Sequence, residues 1–75
     1  MNIIILGCNG NIGKFISVNL ANNINNKVYG IDLHSEFLGE NENITYYQND
    51  FLKNGLNKDL KNVVTSSKDQ VCFIN

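Results

Sequence analysis

The chain opens on an apolar run, Asn2 to Leu6 (NIIIL), dominated by isoleucine and without polar alternation. Such a run predicts a parallel strand buried on both faces. Ile12, Phe15, Ile16 and Leu20 then recur at helical spacing. They predict a helix from Asn11 to about Asn22 with these residues on its apolar face, closed by Asn22-Asn23. Asn25-Asn26 turns the chain into KVYGIDL, Lys27 to Leu33, a second strand. Residues 34–43 are polar and too weakly periodic for a helix. Ile44 to Gln48 reads as a third strand. Leu56, Leu60, Val63 and Val64 place an amphipathic helix over 55–66, and Gln70 to Ile74 is a fourth strand.

Strands alternating with helices predict an α/β fold with a parallel sheet. The expected strand order is 3-2-1-4, the first half of a Rossmann-type doubly wound sheet, with residues 1–75 as one partial domain. Val71 to Ile74 would leave an apolar edge uncovered, which natural domains avoid. The chain is therefore expected to be part of a longer fold, marginal alone and prone to self-associate into a homo-oligomer through that strand.

The chemistry lies between the first strand and the first helix. Gly7 to Gly13 read GCNGNIG, a Gly-x-x-Gly-x-x-Gly turn. Gly7 suits a positive-φ turn off the strand. Gly10, lacking a Cβ, lets backbone approach a pyrophosphate, and Gly13 lets the helix lie close to the sheet. The free amides of the first helical turn, Asn11 and Ile12 among them, favour an anion. Asp32 ends the second strand, 25 positions after Gly7. A carboxylate there accepts from ribose hydroxyls and repels a 2′-phosphate, so NAD is expected over NADP. Asp50 follows the third strand. It reads equally as an acceptor for the adenine amino group and as an ordinary Asx turn.

Other residues carry less. Gly13-Lys14 imitates the end of a triphosphate-binding loop, but Cys8 and Phe15 occupy positions that such a loop gives to Gly and Ser or Thr. Lys14 is thus expected on the exposed helix face. His34 reads as a solvated loop residue. Of Tyr46 and Tyr47, one is expected in the core and the other at the rim. Cys8 and Cys72 have no metal or redox spacing; Cys8 reads as a small turn residue and Cys72 as a small core hydrophobe. A net charge of -1 with scattered signs gives no sign of a nucleic-acid partner. The opening run is too short for a membrane span, and a cytoplasmic location follows by default. The many asparagines read as compositional drift, gathered at turns and helix ends.

GCNGNIG after a terminal strand, Asp32, and Asp50-Phe51 together resemble the extended or atypical branch of the short-chain dehydrogenase/reductase superfamily, nearest its NAD-dependent epimerase/dehydratase group. The resemblance spans the whole chain but only about the first third of a family member. It implies that Gly7, Gly10, Asn11, Ile12 and Gly13 hold the pyrophosphate, and that Asp32 meets the ribose. Asp50 and Phe51 would flank adenine, and Asn75 would border the nicotinamide. The parent enzyme would act on a sugar nucleotide or a related small molecule. No tyrosine of the chain has a lysine four positions later, so the family's reactive Tyr-x-x-x-Lys has no counterpart here and no catalytic residue is assigned. A dinucleotide-sensing domain and a nonfunctional fragment are the alternatives.

Overall fold

The computed structural model describes residues 1–50 and 71–74, together with Lys53, Gly55 and Lys61. The elements run β1 (Asn2–Leu6), α1 (Asn11–Ala21), β2 (Lys27–Asp32), β3 (Ile44–Gln48) and β4 (Val71–Ile74). All pairings are parallel, and the strands lie in the order β3-β2-β1-β4. Parallel pairing brings the carboxyl ends of the strands to one edge of the sheet. Leu6 is in register with Ile31, and Asp32 with Gln48. The helix expected over 55–66 lies almost wholly outside the described residues.

β1 is central and buried on both faces. Ile3 and Ile5 join Cys8, Ala21 and Val28 in the larger core, on the face that α1 covers. Ile16, Leu20, Ile44, Tyr46, Cys72 and Ile74 pack around it. Ile4 points the other way, against Ile31, Leu6, Tyr29 and Tyr47. The two tyrosines of β3 therefore take opposite faces of the sheet, and both are half-buried. The expected division into one core and one rim residue does not hold.

α1 packs through Ile16 and Leu20, two of the four large apolar residues expected on its inner face, and through small residues beside them. Ser17 and Ala21 are buried, whereas Ile12 and Phe15 are exposed at 76% and 71%. Gly13, Ser17 and Ala21 fall four residues apart, on one face. A Cβ on Gly13 would stand 2.3 Å from the Gly7 carbonyl oxygen and 3.1 Å from Cys8 Cα. The helix thus presses on backbone at the end of β1, where large side chains have no room. Lys14 is half-buried, not on the exposed face.

The asparagines have a physical task here. The last carbonyls of a helix lack intrahelical partners. Asn26, Asn41 and Asn43 donate their side-chain amides to the carbonyls of Leu20 (3.0 Å), Val18 (3.4 Å) and Ala21 (3.5 Å). They tie the end of α1 to the segments that precede β2 and β3.

Candidate functional site

β1 ends in a tight turn. Gly7 takes φ +78°, in the left-handed region that favours glycine, and donates its amide to the Ile31 carbonyl at 2.8 Å. Cys8 then folds inward, and its thiol lies over Gly30, where an added Cβ would come within 2.6 Å of Sγ. That mid-strand glycine, given no role in the sequence reading, makes room for the cysteine. Burial, and next the Asp32 charge, push the Cys8 thiol up to about 12. It is a protonated packing group at neutral pH.

Gly10 caps α1 in extended conformation and donates to the Gly7 carbonyl at 3.2 Å. Lys14 closes the first turn by donating to the Gly10 carbonyl at 2.8 Å. No side chain caps the helix, and no acid lies in its first turn. Asn11, Ile12 and Gly13 occupy the positions whose amides point out of the helix start. The three glycines differ in what the protein asks of them. Gly7 is required by its φ, and Gly13 by the 2.3 Å clearance. A Cβ on Gly10 would meet nothing closer than the Gly7 oxygen at 3.5 Å, an ordinary contact. The protein's own packing gives no reason for glycine there. The bare backbone and outward amides fit a pyrophosphate, which needs close approach and donors.

Asp32 lies beside this turn at the carboxyl end of β2. Its Oδ2 accepts from the Asn9 amide and its Oδ1 from the Leu33 amide, each at 2.8 Å. A carboxylate has about four acceptor positions, so among the described residues two are left for a ligand hydroxyl. Leu33, expected as the last residue of the strand, lies beyond it and is exposed.

Asn9 was only a variable position within the glycine motif, yet it organises the site. Its side-chain Nδ2 donates to the Glu36 carbonyl at 3.1 Å and to the Tyr46 hydroxyl at 3.3 Å. Its Oδ1 accepts from the Leu38 amide at 2.7 Å. Tyr46 in turn donates its O–H to the His34 carbonyl. Phe37 packs near the Tyr46 ring, centroids 6.3 Å apart. Desolvation first, then the Cys8 and Asp32 charges, raise the Tyr46 phenol above its ordinary value. Each of these partners comes from another element, which is why spacing along the chain could not reveal them.

Asp50 accepts from the Lys53 amide through Oδ1 at 3.2 Å, a local turn. The Asn49 amide donates to the Asp32 carbonyl at 2.9 Å, which brings the start of that turn against the end of β2. Phe51 and Asn75 lie outside the described residues. His34 is exposed in the β2–β3 connection. A wide, open cavity of about 400 Å³ is lined by Ile24, Asn26, Lys27, Val28, Tyr29, Asn43 and Thr45. It lies at the opposite, amino-terminal end of β2 and β3 and includes none of the site residues.

No protein-family model matches the chain, and no curated protein is significantly similar to it. Among the described residues, no helix is long and apolar enough to cross a membrane, and no three metal-ligating side chains cluster.

Proposed function

We propose that this chain is a dinucleotide-binding segment, the first half of a Rossmann-type domain, and that its ligand is NAD. Gly10 carries the reading: it is the glycine that the fold itself does not need, and it stands at an uncapped helix start at the carboxyl end of the central strand. Gly7, Gly10, Asn11, Ile12 and Gly13 would hold the pyrophosphate through backbone. The two free acceptor positions of Asp32 would take the ribose hydroxyls, and its charge would disfavour the 2′-phosphate of NADP. Asp50 and Phe51 would border adenine. When bound, NAD accepts and returns a hydride, while this chain contributes binding and orientation. The parent activity would be that of an NAD-dependent epimerase, dehydratase or reductase acting on a sugar nucleotide or related substrate, in the cytoplasm.

Titration calorimetry with NAD and NADP tests this on the chain and on Gly10→Val. The unmodified protein is expected to bind NAD in preference to NADP. Gly10→Val should keep its fold, since the Cβ has space, but lose NAD binding because the branched side chain occupies the pyrophosphate's approach. Equal affinity for the two cofactors would remove the assignment of Asp32. Unchanged NAD affinity in Gly10→Val would remove the site.

A further inference from the structure

The Asn9 side chain makes three hydrogen bonds at the carboxyl edge of the sheet, and the dinucleotide reading does not use them. We propose that Asn9 is a positioning residue for the ribose half of that ligand: its carboxamide clasps the β2–β3 connection against the glycine turn and so sets where the Asp32 carboxylate stands. The inference rests on the dinucleotide reading.

Three observations carry it. The Asn9 main chain and side chain serve different partners. The amide N–H is given to Asp32 Oδ2, and the carboxamide to Glu36, Leu38 and Tyr46. One residue therefore joins the carboxylate, the following loop and β3, across sequence separations of 23 to 37. The carboxamide's orientation is also fixed by its surroundings. The Glu36 carbonyl and the Tyr46 oxygen, whose own proton goes to His34, face Nδ2, and the Leu38 N–H faces Oδ1. An aspartate in this place would lack the donor, and a serine would lack the reach. Finally, the loop so held begins at Leu33, whose amide is the second donor to Asp32. Both amides that orient the carboxylate thus belong to segments that Asn9 joins. The amides at the start of α1 lie outside this network and depend on Gly7 and Gly13.

This separation gives the experiment. Binding of NAD, AMP and inorganic pyrophosphate is measured by calorimetry on the unmodified chain, Asn9→Ala and Tyr46→Phe, with circular dichroism to count only folded protein. Asn9→Ala should weaken NAD and AMP about tenfold, the scale of one or two lost hydrogen bonds, and leave pyrophosphate unchanged. Tyr46→Phe removes one acceptor of the clasp and should weaken AMP about threefold, which keeps the test decisive if Asn9→Ala does not fold. Equal losses for AMP and pyrophosphate, or no loss in the folded variants, would overturn the positioning role while the dinucleotide reading stands. No NAD binding by the unmodified chain would overturn both.

Discussion

Asp32 and Asp50 follow neighbouring parallel strands at the same edge of the sheet, but they hold different structures. Asp32 accepts one amide from its own successor and one from a turn 23 residues earlier. It ties β2 to the glycine turn of β1. Asp50 accepts from the amide three residues ahead and organises its own turn. The same side chain in an equivalent place is a long-range tether in one case and a local cap in the other. The difference comes from the neighbouring strand. β2 lies beside β1, whose exit must be bent sharply for α1 to return over the sheet. β3 is the far strand of the order β3-β2-β1-β4, one strand removed from that turn.

The sharpest way to break this contrast is Asp32→Ala. It removes two charge-assisted hydrogen bonds and leaves the Asn9 and Leu33 amides without their acceptor. Bonds to a charged group contribute about 1.5–3 kcal/mol each, partly recovered here because the site is half-exposed. A loss of about 2–4 kcal/mol in urea unfolding is expected. A loss below that of Asp50→Ala would mean that the tether does not distinguish the two acids.

How far the sequence disclosed this arrangement depends on the range of the interactions. β1, β3 and the span of α1 follow from local runs and periodicity, and the structure has them at the expected residues. β2 stops one residue early because Asp32, not Leu33, makes the last ladder position. The helix face holds for Ile16 and Leu20, which pack on the core, but not for Ile12 and Phe15, because apolar periodicity marks only where large side chains recur. At its start α1 instead sets Gly13 against the backbone of Gly7 and Cys8, where small size matters more than hydrophobicity, and it buries Ser17 and Ala21 along the same face. In the site, Gly7 and Asp32 were legible because a positive φ and a strand-end acid have recognisable residue types. Asn9, Gly30 and Tyr46 were not, because each is defined by a partner more than twenty positions away. Asparagine-rich composition concealed Asn9 further, since the same residue type also caps α1 from 26, 41 and 43.

A second effect sharpens the comparison from the Asp32 side. Cys8 keeps its proton in the folded chain up to about 12, against an ordinary value of 9.0, through burial first and the Asp32 charge second. The unfolded chain releases that proton near 9.0. Between pH 9 and about 12 the folded state therefore binds more protons, and stability falls as pH rises; below pH 9 this loss is absent. Tyr46 acts in the same direction. Urea midpoints from pH 8 to 11 should decline, and Cys8→Ala should flatten the decline. An identical slope in Cys8→Ala would show that the buried thiol is not its source.

The smallest expected effect is at Asp50. Asp50→Ala removes an acceptor that serves the Lys53 amide, but the Asp50 carbonyl also accepts from that amide at 3.2 Å, so the donor keeps a partner. An Asx-type or capping bond of this kind contributes about 0.5–1 kcal/mol. The same variant also weighs the local role against the ligand role. If Asp50 only shapes its turn, the urea midpoint should move by that small amount and AMP affinity should stay the same. If its remaining carboxylate oxygen meets the adenine amino group, AMP affinity should fall about fivefold while inorganic pyrophosphate binding is unchanged. Calorimetry with those two ligands decides between them. A stability loss as large as that of Asp32→Ala would erase the distinction between tether and cap.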